Sequence, residues 1–290
     1  MKRVVLTALL LVVGFGAVAP APGRTAIEIH KVDEGRFRPT EGKPVFVLVM
    51  GHDARPGETQ SRGDALHLIG INPGAGRATI LNIPRDTWTD IPGRGLDKVN
   101  AAHYHGGPTL QAEAVSALVG VDIPIVISTG FQGLSDMVDE LGGIDVNVPQ
   151  PMDDPKSGAV FPAGTVRMDG GAALAFSRNR SLPGGDLTRT QDQGILILAG
   201  LAKLRGEDPT AANTLKWMSV LARHARRDGA GLGDLYRLGR LALSINPANV
   251  RNVTMPGRIG SAANQSVVFV GASAPALFAD FRDDAVLQRS

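Results

Sequence analysis

The amino-acid sequence predicts an α/β protein, a three-layer α-β-α domain with a central mixed sheet that follows an N-terminal signal anchor. Three observations support this prediction. Short apolar runs alternate along the chain with segments of helical periodicity. A glycine-containing turn joins two of the runs, so that one strand pair is antiparallel and the sheet is mixed. The first residues combine positive charge with an apolar stretch, as signal sequences do.

The N-terminal segment indicates export. Lys2 and Arg3 precede an apolar run over residues 4–19, which is short for a membrane span. The run ends in a small-residue pattern that resembles a cleavage site, but Pro20 follows it directly. We therefore favour an uncleaved anchor over residues 1–21, with a removed signal peptide as the alternative. In both cases the charged end stays inside and the domain is extracytoplasmic, on the cell membrane or secreted.

The next segment separates this anchor from the domain. Residues 22–44 are mixed in character, charged and punctuated by proline and glycine. Such a composition is typical of a tether, and we expect a linker there. The catalytic domain is then expected over residues 45–290.

The first part of the domain is predicted to be mostly β. Residues 45–50 form a short apolar run, typical of a buried strand. Residues 72–76 are Asn-Pro-Gly-Ala-Gly and join two further strands as a hairpin turn. The remaining elements predicted here are strands at 65–71, 77–83 and 125–128 and a helix at 108–119.

The second part is predicted to be mostly helical. Leu134, Val138 and Leu141 have helical spacing, and Gly142 is placed to end that helix in a left-handed conformation. Apolar residues alternate with polar ones at 144–148, as in a half-buried strand. Further helices are predicted at 191–204, at 210–226 after the Asp208-Pro209 start signal, at 232–244 and at 274–281, with strands at 251–255 and 266–270.

Composition excludes several classes of function. The chain has no cysteine, so a disulfide scaffold, a cysteine-ligated zinc site and a thiol nucleophile are excluded. The formal net charge of +2 is too small for nucleic-acid binding through a strong positive field. The 23 arginines greatly outnumber the 7 lysines. Either genome composition explains this excess, or some arginines bind an anion, because a guanidinium fork matches phosphate oxygens.

Polar residues cluster where the first predicted strands begin or end. Asp53 follows the first strand, Asp64 begins the second and Arg85 follows the third. If strands one and three are parallel and strand two is antiparallel to them, these residues share one edge of the sheet. Paired carboxylates there suit Mg²⁺. The alternative is a set of Asp–Arg ion pairs that only rigidify loops.

A second cluster precedes the long predicted helix. Arg178 and Arg180 are two residues apart and share a face of an extended segment, whereas Arg189 and Gln193 are four apart and stack on a helix. The helix is expected to begin near Asp186. Arginines around a helix N-terminus form a phosphate site, and the alternative is a solvated basic loop.

Taken in order, these motifs resemble those of the LytR-CpsA-Psr family over residues 45–255. The resemblance implies membrane-anchored enzymes on the outer face of bacteria, which transfer a glycopolymer from a polyprenyl (pyro)phosphate carrier to peptidoglycan through a phosphodiester link. It also implies pyrophosphate hydrolysis as a side activity. The motifs are Gly51-x-Asp53-x-Arg55, Arg62-Gly63-Asp64, Ile83-Pro84-Arg85-Asp86-Thr87, Lys98-Val99-Asn100-Ala101-Ala102, Gly106-Gly107, Val138-Asp139-Glu140-Leu141-Gly142-Gly143, Arg178-x-Arg180 and Asp186-x-x-Arg189-x-x-x-Gln193.

The resemblance implies a role for each matching residue. Asp53 and Asp64 fall on the Mg²⁺-binding aspartates of the family, and Arg62 and Asp86 fall on its further polar core, where we count Arg62 with the pyrophosphate ligands. One departure is Asp192, because many members have an arginine at that position. The residues that fall on pyrophosphate-binding positions are Arg85, Arg178, Arg180, Arg189 and Gln193.

The chemistry of such a transfer fits these residues. Phosphoryl transfer requires positioning and charge neutralisation, which Arg85 and its neighbours supply. A sugar hydroxyl is a poor nucleophile, so a base helps, and Asp64 is the first candidate and Asp86 the second. The lipid tail requires an apolar groove, but the leucine, isoleucine and valine residues available for it also suit an ordinary core. Two alternatives stay open: a polyprenyl pyrophosphate hydrolase and a membrane-bound transcriptional attenuator.

Overall fold

A computed structural model of the protein describes residues 27–32, 43–52, 61–206 and 225–288. The predicted anchor at 1–21 and nearly all of the helix predicted at 210–226 lie outside these residues, as does Asp53. Within the described ranges, no helix is long and apolar enough to cross a membrane.

The described chain contains strands and helices in a mixed order. The strands are β1 (Ile27–Lys31), β2 (Val45–His52), β3 (Gly63–Asn72), β4 (Arg77–Asn82), β5 (Trp88–Ile91), β6 (Gly95–Lys98), β7 (Ile125–Gly130), β8 (Ile144–Val148), β9 (Met152–Asp154), β10 (Ala159–Phe161), β11 (Gly164–Met168), β12 (Ala225–Asp228), β13 (Val250–Thr254), β14 (Gly257–Ala262) and β15 (Gln265–Val270). The α-helices are α1 (Ala101–Val119), α2 (Phe131–Glu140), α3 (Gly170–Arg178), α4 (Asp186–Gly206), α5 (Leu232–Ser244) and α6 (Ala274–Asp284).

The central sheet is mixed, as predicted. Its seven strands lie in the order β12-β1-β7-β2-β3-β4-β13. Strand β3 is antiparallel to both β2 and β4, whereas β2–β7, β4–β13 and β1–β12 are parallel pairs. Consequently β2 and β4 run in the same direction. The end of β2, the start of β3 and the segment after β4 lie at one edge of the sheet, as the sequence predicts.

Helices cover both faces of the sheet, which confirms the three layers. On one face, α1 and α6 pack on the inward residues of β2 to β4 in a closed apolar core. The Phe46 and Phe281 rings meet edge to face at 5.2 Å between centroids. Gly70 permits this contact, because a Cβ atom there would lie 2.7 Å from the Phe281 ring. On the other face lie α2, α4 and α5.

Several elements match their predictions closely. Helix α5 has the predicted bounds, and α4 begins at Asp186 within the region expected for its start. Helix α2 is followed by Gly142, whose φ of 70° is the left-handed conformation predicted for that position. Helix α1 contains the predicted segment from Pro108 and continues backwards through a break at Gly106 and Gly107.

The structure also differs from the prediction. The sequence predicts a linker over residues 22–44, yet Ile27–Lys31 is a strand of the central sheet, between β7 and the edge strand β12. Its five residues carry three ionisable side chains, which hide the alternation of the two buried isoleucines. Residues 225 and 226, the predicted end of a helix, belong to β12. Hairpins β5–β6 and β9–β10, strands β11 and β14 and helix α3 are further additions, whereas β15 agrees with the strand predicted at 266–270.

Candidate functional site

A large apolar cavity lies between the central sheet and helices α2, α4 and α5. Its volume is about 1170 Å³. The floor is formed by residues of β2, β3, β4 and β7 that face away from the closed core, such as Val49, Ile69 and Ile127. Residues of α2 and α4, such as Leu134 and Leu201, form the opposite wall. These residues resemble ordinary core in the sequence, but here they line a space.

The mouth of this cavity is polar and rich in arginine. Asp64, Arg85, Arg178, Arg180, Arg189 and Gln193 all line it. Most of the residues that the sequence analysis assigned to pyrophosphate therefore converge at one end of an apolar cavity. The polar cluster and the apolar wall form one continuous site.

Asp186 organises the arginines at the mouth. Arg189 Nε donates to Asp186 Oδ1 at 2.9 Å, and Arg180 Nε lies 3.3 Å from the same oxygen. Arg85 Nε lies 3.7 Å from the other oxygen, Asp186 Oδ2. In the sequence, Asp186 marks only the expected start of α4. Its position one turn before Arg189 was the available signal for this role.

Arg85 forms a second link across the site. Its Nη1 donates a short hydrogen bond to Asp64 Oδ1. Burial by itself would lower the Arg85 pKa, but the carboxylates of Asp186 and Asp64 outweigh it and hold that pKa above its ordinary value. Arg85 is therefore a permanent cation fixed between β3 and the start of α4.

Arg189 is the most buried cation at the mouth, with 4% of its surface exposed. Burial lowers its pKa, and the positive charges of Arg85 and Arg180 act in the same direction against Asp186. Its Nη1 donates to the Asp64 backbone carbonyl at 3.2 Å, which fixes the guanidinium beside β3. An anion at the mouth would relieve the repulsion among these three arginines.

Buried polar atoms at the mouth lack hydrogen-bond partners. Among the described residues, Arg85 Nε, Arg189 Nη2 and Gln193 Oε1 form no hydrogen bond, although both arginine atoms lie within ion-pair distance of Asp186. Buried donors normally have partners. Guanidinium groups are strong donors to oxyanions, and here two of them lie together around Asp186.

The remaining predicted anion ligands border the same mouth. Arg178, the last residue of α3, places its guanidinium carbon 5.3 Å from the centre of the Phe131 ring. Gln193 Nε2 donates to the Ser177 carbonyl at 3.0 Å, so α3 and α4 are joined beside Arg178. Arg189 and Gln193 share one helix face, as their spacing predicts. The structure thus brings Arg178, Arg180, Arg189 and Gln193 together.

The structure does not place the other three predicted site residues in the cavity lining. Arg62 is exposed and is not part of the cavity lining in the described chain, so the structure does not place it with the other predicted pyrophosphate ligands. Asp86 lies beside Arg85 but outside the cavity lining, and Lys98 Nζ lies 3.0 Å from its Oδ1. Asp53 is the residue that follows His52, the last residue of β2, and lies outside the described residues.

A buried polar chain that the sequence analysis missed connects the cavity floor to α4. His67 Nδ1 and Asn82 Oδ1 are 2.7 Å apart, and Asn82 Nδ2 donates to Asn252 Oδ1 at 2.7 Å. Asn252 Nδ2 in turn donates to the Gln191 carbonyl at 3.0 Å. Since Asn82 Oδ1 must accept, His67 carries its proton on Nδ1. Burial, with the charge of Arg189, lowers the His67 pKa to about 4, so this side chain is neutral at pH 7.

The donor set at the mouth is compatible with Mg²⁺. In the described part of the chain, no three His, Cys, Asp or Glu side chains form a metal-binding group. Mg²⁺, however, commonly binds through one or two carboxylates together with substrate phosphates and water. Asp64 offers such a carboxylate at the mouth, next to the arginines. Asp53 would be the second ligand that the family resemblance implies.

The fold and the site together define a class: an α/β domain with an apolar cavity whose arginine-rich mouth suits a lipid-linked oxyanion. The sequence profile of the LytR_cpsA_psr family matches residues 23–278, and the chain belongs to this family. The match begins before β1, which agrees with the position of that strand in the sheet.

Relatives and solved structures support this assignment. The chain is 34% identical over 254 residues to the probable cell wall biosynthesis protein LcpB of Corynebacterium glutamicum, covering 81% of this chain and 60% of LcpB. It is 33% identical over 210 residues to the polyisoprenyl-teichoic acid–peptidoglycan teichoic acid transferase TagU of Bacillus mycoides, covering 67% of each. The chain thus spans about 60% of the length of LcpB.

Two solved structures show the same fold. The crystal structure of B. subtilis TagV has a TM-score of 0.72 at 23% identity, covering 85% of this chain and 98% of that one. YwtF (TagT) with bound octaprenyl pyrophosphate lipid has a TM-score of 0.65 at 23% identity, covering 93% of this chain and 99% of that one.

Proposed function

We propose that this protein is a phosphotransferase that moves a glycopolymer from a polyprenyl pyrophosphate carrier onto peptidoglycan during cell-wall assembly. The observation that carries the proposal is the apolar cavity of about 1170 Å³ that ends at a cluster of four arginines. The apolar cavity suits the prenyl chain, and the arginine cluster suits the pyrophosphate. The printed activity of TagU, a transferase acting on polyisoprenyl-linked teichoic acid, supports the same assignment.

The cavity provides the apolar surroundings that a prenyl chain requires. Each buried methylene contributes roughly 0.8 kcal/mol to binding, so several isoprene units in the cavity supply most of the affinity for the carrier. Residues of α2, α4 and the sheet contribute only aliphatic and aromatic side chains over most of the lining. Binding is therefore expected to depend on chain length more than on specific contacts.

The mouth positions the pyrophosphate. A pyrophosphate linkage carries about two negative charges. The four arginines at the mouth exceed the carboxylates of Asp64 and Asp186 by two, which balances this charge. These arginines are Arg85, Arg178, Arg180 and Arg189. Arg85 and Arg189 are held in place before the substrate arrives, because each is tied to Asp186. Such preorganised charge stabilises a transition state in which charge develops on phosphoryl oxygens.

The transfer is balanced in atoms and charge. The acceptor sugar hydroxyl attacks the phosphorus that carries the glycopolymer, and the bond from that phosphorus to the bridging oxygen breaks. Polyprenyl monophosphate leaves, and a phosphodiester joins the polymer to the acceptor. The hydroxyl proton passes to a carboxylate, for which Asp64 is the first candidate and Asp86 the second.

Mg²⁺ belongs to this proposal as a cofactor held by Asp64 and Asp53, where it would supply further charge neutralisation at the phosphates. The test is loss of transfer in EDTA and its return with added Mg²⁺. Transfer at full rate in EDTA would remove both aspartates from the metal role.

The decisive experiment uses a donor lipid labelled in the sugar and peptidoglycan as the acceptor. Label is expected in the acceptor with the wild type. Arg85→Ala is expected to lose at least 100-fold in rate, because the residue aligns the reacting phosphate, with little change in the free energy of unfolding. Arg226→Ala is the matched control, since its guanidinium is exposed and pairs with Glu28 on the far side of the sheet.

Three results would contradict the proposal. If label appears only as free phosphorylated sugar, the protein is a hydrolase of polyprenyl pyrophosphates. If Arg85→Ala unfolds the domain and leaves the remaining folded fraction active, the arginine cluster is structural. If the domain is instead retained on DNA in a salt-dependent way, the regulator hypothesis gains support.

Membrane attachment is a separate proposal. Residues 1–21 would hold the domain at the outer face of the membrane, where polyprenyl carriers are present. Membrane fractions of cells that express the full chain should contain it, and protease added to spheroplasts should remove it. Protection from that protease would contradict an extracytoplasmic domain.

A further inference from the structure

A solvent-facing surface borders the site at Asp86, on the hairpins β5–β6 and β14–β15. We name it the hairpin platform. It combines two half-buried aromatic rings, an exposed leucine and several charged side chains. Its residues are Trp88, Asp90, Leu96, Lys98, Arg258 and Phe269.

Strand pairing places these side chains on one side. Trp88 is opposite Lys98 and Asp90 is opposite Leu96 in the β5–β6 ladder, so these four residues share a face. The other face carries Ile91, which is fully buried. Leu96 is 64% exposed, which confirms that the first face is the outer one.

The second hairpin continues this outer face. Thr87 pairs with Val268 in a parallel bridge, and both side chains are buried. The residues that follow them, Trp88 and Phe269, are adjacent across this bridge and both are half-buried, so part of each ring is accessible. Arg258 is opposite Phe269 in the β14–β15 ladder, and its guanidinium carbon lies 5.4 Å from the centre of the Phe269 ring.

The platform is continuous with the reaction centre. Lys98 Nζ lies 3.0 Å from Asp86 Oδ1, and the Val268 amide donates to the Asp86 carbonyl at 2.8 Å. Asp86 is the neighbour of Arg85, whose guanidinium binds Asp64 at the cavity mouth. A ligand on the platform thus approaches the mouth from solvent, without passing through the cavity that the carrier lipid would fill.

We propose that the hairpin platform binds the saccharide chain of the acceptor. This inference rests on the proposed function and deepens it, because it locates the second substrate. Asp86 then lies between the bound acceptor chain and Arg85, as expected for a group that takes the hydroxyl proton.

The chemistry of the platform favours a saccharide. Sugar rings have an apolar face of C–H groups that packs on an aromatic ring, and Trp88 and Phe269 offer two such rings. The hydroxyl and amide groups of a sugar require donors and acceptors at the ring edge, which the exposed Asp90 and Arg258 provide. Lys98 is paired with Asp86 and joins the platform to it. The mixture of charge signs suits a ligand with many neutral polar groups better than a polyanion.

The first experiment measures transfer to soluble glycan strands. In Trp88→Phe and Leu96→Ser, the KM for the acceptor is expected to rise by about tenfold or less, a change equivalent to ~1.4 kcal/mol. The rate at saturating acceptor and the Kd for the donor lipid are expected to stay within twofold of the wild type, since the cavity is unchanged. Leu96→Ser removes an exposed side chain, so that loss of folding does not complicate its result.

Matched variants separate this role from general surface effects. Phe269→Ala, which removes the ring beneath Arg258, is compared with Tyr236→Ala. Tyr236 is 44% exposed on α5, and Arg240 lies 6.0 Å from the centre of its ring, so the pair repeats the same chemistry away from the platform. Only Phe269→Ala is expected to raise the acceptor KM.

The second experiment measures binding without catalysis. The chain has two tryptophans, Trp88 and Trp217, so Trp217→Phe leaves Trp88 as the only tryptophan fluorophore. Peptide-free glycan strands are expected to shift its emission to the blue with saturation, whereas the Trp88→Phe protein, which retains Trp217, is expected to show no change.

The outcomes separate the two proposals. If wild-type protein transfers no label but glycan still shifts the Trp88 emission, the proposed function fails and the platform stands. If transfer occurs but the acceptor KM is unchanged in Trp88→Phe, Leu96→Ser and Phe269→Ala, the platform is wrong. A shift with phosphatidylglycerol vesicles and none with glycan would also overturn it, because the surface would then contact a membrane.

Discussion

Asp192 provides the sharpest test of the electrostatics in this fold. The side chain lies on α4 next to Gln193, with 2% of its surface exposed, and its Oδ2 forms no hydrogen bond with the described part of the chain. No ion pair with another described residue compensates for its charge. Burial raises the Asp192 pKa from 3.8 to about 6. The substitution Asp192→Asn keeps the shape and removes the charge.

The expected magnitude follows from this difference in pKa. An acid whose pKa is higher in the folded than in the unfolded state opposes folding once the pH is high enough to remove its proton. Below about pH 4 both states are protonated and the carboxyl group contributes nothing. Stability is lost as the pH rises, and above pH 6 the buried charge costs about 3 kcal/mol, since one pKa unit equals about 1.4 kcal/mol.

Urea denaturation at pH 4.5 and pH 7.5 measures this effect. The free energy of unfolding of Asp192→Asn is expected to exceed that of the wild type by nearly 3 kcal/mol at pH 7.5. At pH 4.5 the difference is expected to be much smaller. Asp122→Asn changes an exposed aspartate and serves as the control. Its free energy of unfolding is expected to differ from that of the wild type by the same small amount at pH 4.5 and at pH 7.5. Equal gains at both pH values, or a loss at pH 7.5, would show that Asp192 is compensated in solution and that the reasoning is incorrect.

Three further predictions concern packing and the site. Gly194→Ala is expected to destabilise the domain by about 1–3 kcal/mol in urea denaturation, because a Cβ atom there would lie 2.1 Å from Asn252 Oδ1; unchanged stability would mean that α4 moves freely on the sheet. Arg189→Lys is expected to weaken donor-lipid binding by about 10–100-fold, because one ammonium cannot replace a buried fork; a change below threefold would exclude Arg189 as a direct ligand. Gly200→Leu is expected to fill part of the cavity, where a Cβ atom at this position contacts nothing, and to weaken binding of long prenyl pyrophosphates more than short ones; equal weakening would place the lipid elsewhere.

Local patterns predicted a large part of the fold. Helix α4 was predictable because its apolar and polar residues repeat with the period of a helix, and that repeat also placed Arg189 and Gln193 on one face. The left-handed residue Gly142 follows from backbone sterics alone. The β3–β4 hairpin was predictable because its turn residues specify a reversal of the chain.

Non-local pairing explains most of the differences. Strand β1 is only five residues long and mixes isoleucine with charged side chains, so no local pattern marks it. It is a strand because β7 and β12 pair with its two edges. The β5–β6 and β14–β15 hairpins each pair segments that are close in sequence, but the bridge between Thr87 and Val268 that joins the two hairpins is a long-range contact.

In the candidate site, too, some features follow from local sequence patterns and others depend on long-range packing. The sequence by itself determined which residue types are present and the short-range spacing of Arg178, Arg180, Arg189 and Gln193, because a helix or a strand fixes neighbours a few residues apart. Only the tertiary structure decided that Asp186 joins three arginines, that Asp192 is buried with no ion-pair partner among the described residues and that aliphatic residues of α4 line a cavity. The physical reason is that burial, charge pairing and empty volume depend on which distant segments pack together, and no local periodicity encodes that.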